Sequence, residues 1–191
     1  MSKKGLTHEI IINTALELIN EHGYDKFSLR ELAIKLNVKP SSLYNHVHGL
    51  NEINTEVAFR VSQKLNTLLN HAIDGKDKDQ AFMDAVKAYR QFALDYPDEY
   101  AALIKMPKSN NENIIHAGLE SFAPLRNLIK SYQAPRETTI HFMRALRSTM
   151  HGFVELTYNG FMQRESIARD ESYEMIMKNY LEKLKEMAHH E

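Results

Sequence analysis

Apolar residues recur along this chain at three- and four-residue intervals, and nowhere do they alternate over the length of a strand. Ile10, Ile11, Thr14, Ala15, Leu18 and Ile19 predict one face of a helix over Thr7–His22, capped by Thr7 and stopped by Gly23. Two short helices follow within Ser28–Val47. Asn51–Ala72 reads as a long helix through Ile53, Val57, Val61, Leu65, Leu68 and Leu69. After the polar break DGKDKD, where Asp77 and Gln80 suit a cap, Phe82, Val86, Tyr89, Arg90, Ala93 and Leu94 mark the next helix. Pro97 opens another, which Met106-Pro107 ends before the loop KSNNEN. Ile114–Tyr132 is predicted helical with a kink or a break after Ala123, because Pro124 lacks the backbone donor. Arg136–Asn159 buries Ile140, Met143, Leu146, Met150, Phe153, Val154 and Thr157, and Ser172–Met187 supplies the last helix. The expected fold is all-α, with about nine helices: a three-helix unit at residues 1–50, then a larger helical domain at 51–191 whose first element, 51–72, is a connector.

Ser28–Val47 is the most informative stretch. Ser28 and Glu31 have the spacing of a capping box, the hydroxyl taking the Glu31 N–H and the carboxylate reaching back to the Ser28 N–H. Leu29, Leu32, Ala33 and Leu36 form a stripe on the helix that follows. Asn37 stands where the chain must visit a left-handed conformation, and Pro40 presets the start of a new helix. That second helix turns only Leu43 and Val47 inward, so its purpose lies in the polar groups it presents.

Composition narrows the classes. At 191 residues and 43% apolar the chain can bury a core, and with no cysteine it has neither disulfides nor thiolate chemistry. No apolar run is long enough to span a membrane and no signal-peptide core is present, so a cytoplasmic protein is expected. A net charge of −1 argues against a chain that coats nucleic acid indiscriminately. Up to Leu50, Lys3, Lys4, Lys26, Arg30, Lys35 and Lys39 are nearly matched by Glu9, Glu17, Glu21, Asp25 and Glu31, with Lys3 and Lys4 on an N-terminal arm. His151 and Glu155 lie one turn apart, yet no third metal ligand, nucleophile or phosphate loop accompanies them. His151-Gly152 therefore reads as a packing feature where helices approach closely, and His189-His190 as a solvated end. No cofactor is expected.

Gly23-Tyr24, Phe27–Ala33, Leu36-Asn37-Val38 and Ser42–Val47 together resemble the helix-turn-helix domain of the TetR family of bacterial repressors. Phe122-Ala123-Pro124-Leu125, Arg144–Phe153, Gly160-Phe161 and Ser172-Tyr173 resemble the TetR C-terminal domain named for its Trp-His-Gly motif, with Met150 at the tryptophan position before His151-Gly152. The resemblance implies a sequence-specific DNA-binding regulator. It would be a homodimeric repressor, paired through its last two long helices and released from a palindromic operator by a small-molecule effector. Second helices at Pro40–His46 would enter major grooves about 34–36 Å apart. Tyr44 and His46 would meet phosphates, Lys39, Ser41, Ser42 and Asn45 base edges, and Thr7 and Ser28 the DNA backbone. Leu50 stands where many members carry a phosphate-gripping lysine. An effector cavity would draw on Tyr89, Phe92, Phe122, Met143, Met150 and Phe153, with Arg90, His151 and Tyr158 as polar anchors; the same residues would equally make an ordinary core. The competing readings are a non-enzymatic all-α interaction module and a helical enzyme using His151 and Glu155.

Overall fold

In the computed structural model, residues 5–105, 120, 122–162 and 168–188 are described. Among them are nine α-helices and no strand: α1 His8–His22, α2 Leu29–Lys35, α3 Pro40–Leu43, α4 Leu50–Ile73, α5 Lys78–Asp95, α6 Pro97–Ile104, α7 Ala123–Lys130, α8 Arg136–Tyr158 and α9 Arg169–Ala188, with a 3₁₀ turn at Tyr24–Lys26. The chain divides into two compact units, one comprising Met1–Lys64 with Tyr96–Ser121, the other Leu65–Asp95 with Phe122–Glu191. The expectations for Lys3, Lys4, the Met106-Pro107 stop, the KSNNEN loop, the helix from Ile114 towards Ser121 and His189-His190 fall almost wholly outside the described residues.

In the first unit, Thr7 caps α1 by accepting from the Ile10 N–H at 3.2 Å. Gly23 ends it with φ +93°, donating to the Ile19 carbonyl. The inner face carries Ile12 where the pattern put Ile10; with three isoleucines in succession, the edge of the stripe is settled by what packs on it. At Ser28 only half of the expected box forms. Its Oγ accepts from the Glu31 N–H at 3.3 Å, but the Glu31 carboxylate takes the Ser28 hydroxyl at 3.1 Å rather than its N–H. Asn37 has φ +51°, and the N–H groups of Val38 and Asn37 close on the carbonyls of Ala33 and Ile34, a complete Schellman motif. Leu32, Ala33, Leu43, Val47, Ile53, Val57 and Val61 form the core of this unit. On the part of α4 that belongs to the second unit, Leu68 is exposed instead of buried.

Glu99, expected only as an acid at a helix start, is buried in this unit. Its carboxylate accepts from Asn20 Nδ2 at 3.2 Å and from Lys64 Nζ at 3.0 and 2.9 Å, joining α1, α4 and α6. A buried carboxylate persists only when paired in this way.

In the second unit Asp77 alone caps α5, accepting from the N–H groups of Asp79 and Gln80; the Gln80 amide turns to Asp84. The break at Pro124 comes earlier than expected. Helix α7 begins at Ala123 with the proline in its first turn, where no backbone donor is needed. The inner face of α8 agrees with the pattern from Leu146 onward, but its first two turns bury Thr139 and Phe142 in place of Ile140 and Met143. Thr139 tolerates burial because its hydroxyl donates to the carbonyls of Ala134 and Pro135, and Phe142 packs edge-on against Tyr180. Tyr173 donates to the Val86 carbonyl at 2.9 Å, and burial pushes its hydroxyl well above the usual phenol range.

Candidate nucleic-acid interface

Helix α3 is a single turn. It is held to the first unit by Leu43, which has no exposed surface, and by Val47, whose N–H returns to the Leu43 carbonyl at 3.0 Å. The regular helix ends at Leu43, short of the expected His46. Tyr44, Asn45 and His46 continue as a turn that keeps helical spacing through this bond and the His46 N–H to Leu43 bond at 2.9 Å. Lys39 occupies the cap position with an extended backbone, and no side chain caps the helix. Lys39, Ser41, Tyr44, Asn45 and His46 are all exposed, Tyr44 at 58%, and Ser42 is half-buried. Inward anchors and outward polar groups therefore separate cleanly on one short element.

Thr7 and Ser28 mark the starts of α1 and α2. Thr7 is exposed, with its oxygen used in the cap, whereas the Ser28 hydroxyl is engaged both as acceptor and as donor. At the start of α4 the structure adds a feature that the pattern did not reveal. Glu52 Oε2 accepts from the His48 N–H at 2.6 Å, and its Oε1 lies 3.5 Å from His8 Nε2. A carboxylate thus holds the backbone donor that precedes the helix and places negative charge in its first turn. Glu52 in the first turn was the available signal; its partner, a backbone donor before the helix, was not.

Charge on this unit is partly neutralised. Lys35 is paired with Glu21 at 2.7 Å and Glu17 at 3.5 Å, and the hydrogen bond it shares with Glu21 lowers the glutamate's pKa and raises its own. With Leu50 carrying no charge and Lys35 occupied, operator affinity is expected to fall only gently with salt. A log–log slope corresponding to about three or four phosphates is expected, at roughly 0.9 per phosphate neutralised. Anisotropy titrations from low to moderate salt measure it; a slope near ten would contradict this account.

The second unit gathers six of the residues expected around an effector. Tyr89, Arg90, Phe92, Phe122, Met150 and Phe153 are buried. Tyr89 meets Phe122 edge-on with centroids 5.9 Å apart. The Arg90 guanidinium lies 5.7 Å from the Phe153 ring and 5.4 Å from that of Tyr173, and its Nη2 donates to Asp170 at 2.6 Å. Tyr173 was not anticipated at this cluster. Met143 and His151 are half-buried, and Tyr158, 66% exposed, stands apart on the surface. Glu155 is exposed, with its carboxylate 3.5 Å from Asn159 Nδ2. A side chain at Gly152 would meet no described atom within 4 Å, so none of the described helices makes the close approach expected there.

Comparison with known proteins agrees with this geometry. Residues 11–46 match the model for bacterial regulatory proteins of the tetR family, and residues 82–180 match the tetracyclin repressor-like C-terminal domain. An uncharacterised HTH-type transcriptional regulator of Bacillus subtilis is 35% identical over 84% of both chains. A similar regulator of Mycobacterium tuberculosis is 32% identical over 82% of this chain and 72% of its own. Among solved structures, apo ActR from Streptomyces coelicolor superposes with a TM-score of 0.72 at 18% identity, covering 98% of each chain. A TetR variant from Acinetobacter baumannii AYE in complex with minocycline gives 0.69 at 17%, covering 96% of this chain and 99% of its own. Because the C-terminal model alone spans half the sequence and both relatives exceed the identity at which families are shared, the chain belongs to the TetR family and is a DNA-binding regulator of transcription.

Proposed function

We propose that the chain is a homodimeric repressor whose paired α3 helices read a palindromic operator, and that a small molecule held in the second unit releases it. The observation that carries this reading is the division of residues 39–47, α3 with its cap and the turn that continues it, into buried Leu43 and Val47 and exposed Lys39, Ser41, Tyr44, Asn45 and His46. In this assignment Tyr44 and His46 bind phosphates, while Lys39, Ser41, Ser42 and Asn45 face base edges, with Thr7 and Ser28 at the flanking backbone.

Self-association is supported by large apolar side chains left exposed on α8, at its end and on α9: Leu156, Tyr158, Phe161 and Met175. An effector role is supported by the buried aromatic cluster around Arg90, and by the minocycline complex of the TetR variant, which is a property of that protein. The DNA-binding domain is assigned to residues 1–50 and the effector and dimerisation domain to 51–191, with 51–72 as connector. Release requires that the effector bind one state of the protein more tightly than the other. The chain acts in the cytoplasm and without catalysis.

A mobility-shift titration with the DNA upstream of the chain's own gene, run beside sedimentation of the free protein, tests the reading. A dimer that retards this fragment at nanomolar concentration, in the range of specific complexes on the order of 10⁻⁸ M or tighter, is expected. A monomer, or no selective retardation at micromolar protein, would overturn it.

A further inference from the structure

The second unit contains a cleft of about 450 Å³ between α7 and the first two turns of α8, and of the residues expected around an effector only Met143 lines it. Arg126 and Lys130, four apart on α7, share one wall. Arg136, Thr139, Ile140 and Met143, at helical spacing on α8, make the other. Among the described residues no carboxylate lines it, and neither Lys130 nor Arg136 forms an ion pair with one of them. Elsewhere in this unit several cations meet a carboxylate: Lys76 with Asp84, Lys87 with Glu174, Arg90 with Asp170, Lys185 with Asp79. The cleft of similar size in the first unit has both signs in its lining, Arg60 and Lys64 with Glu17 and Glu99.

Two further observations give the cleft its character. Ile140 and Met143 are the side chains that the register of α8 leaves half-open, so the floor under the cations is apolar. Gln133, in the short connection from α7 to α8, is held at φ +64° with its N–H on the Lys130 carbonyl, a strained conformation beside the cationic rim. An anion entering the cleft would be attracted by Lys130 and Arg136 and would meet no lining carboxylate of the described residues. A bare phosphate or a neutral hydrocarbon would each use only half of this surface.

We propose that the α7–α8 cleft binds an anionic amphiphile, a carboxylate or phosphate monoester on an aliphatic body, with Lys130 and Arg136 holding the head group and Ile140 and Met143 the chain. Its volume is in the range of about 300–1,000 Å³ typical of small-molecule sites.

Calorimetric titration of the full chain with decanoate, decyl phosphate, decanol and inorganic phosphate, all below micellar concentration, tests this. One or both decyl anions bind at a single site, with decanol and inorganic phosphate at least tenfold weaker; which anion is tighter identifies the head group. The double variant Lys130→Ala/Arg136→Ala weakens the anions at least tenfold with an unchanged circular dichroism spectrum. Met143→Gln weakens the decyl anion but leaves inorganic phosphate as it was. Failure of both decyl anions to bind, decanol binding as tightly as they do, or a double variant equal to the parent would overturn the proposal. The outcome is separate from the regulator reading: a chain that retards its operator but binds no decyl anion loses only this cleft, and the reverse result loses only the operator.

Discussion

Replacing Tyr44 with alanine is expected to lower operator affinity roughly ten- to a hundredfold while leaving thermal stability almost unchanged. The side chain is 58% exposed and contributes little to the core, so its removal belongs with surface substitutions that shift stability by about 0.5 kcal/mol or less. In the complex its hydroxyl would donate to a phosphate. A hydrogen bond to a charged group is worth about 1.5–3 kcal/mol, and each 1.4 kcal/mol is a factor of ten in affinity. Anisotropy with a labelled operator and a thermal melt, read together, decide the matter. Unchanged affinity, or a fall in affinity matched by a large drop in melting temperature, would remove Tyr44 from the interface.

One residue earlier the expectation reverses. Leu43→Ala should cost about 2–5 kcal/mol, because a fully buried leucine is replaced by a cavity that its neighbours fill only in part. Against a total stability of about 5–15 kcal/mol that is a large share. Operator binding should be lost as well, since α3 is one turn long and holds its place only by packing. Urea denaturation followed in the far ultraviolet measures the loss, and an unmoved midpoint would show that α3 does not depend on Leu43. Adjacent residues with opposite signatures, one in binding and one in stability, form a sharper test of the helix-turn-helix assignment than either alone.

The features legible in the sequence are those whose chemistry is local. Thr7, Asp77, Asn37 and Pro40 act on backbone groups within a few residues, and the structure places each in the role its type and position predict. Helix faces were legible to within one or two positions: Ile12 replaces Ile10, and Thr139 and Phe142 replace Ile140 and Met143. Periodicity marks the middle of a stripe, while its edges depend on what another helix brings to it. Least legible were pairings between distant residues. Glu99 with Asn20 and Lys64, and Arg90 with Asp170, join positions that no spacing rule relates. Glu52 on the His48 N–H, though equally local, escaped notice because an acid in a helix's first turn is already accounted for by the helix dipole and signals no bond to a residue before the helix. Within the site, the outward residues of α3 could be named from the short pattern around Leu43 and Val47, whereas the exposure of Tyr158 depends on an orientation that the pattern left open.

The turn between α2 and α3 is closed by main-chain hydrogen bonds at Asn37 and Val38, and α3 is then fixed by Leu43 and Val47. None of these supports uses the side chains of Ser41, Tyr44, Asn45 or His46. Those positions are consequently free to be rewritten without redesigning the scaffold, and if Ser41 and Asn45 face base edges as proposed, a new operator preference would need only exposed substitutions there, at almost no expense to folding.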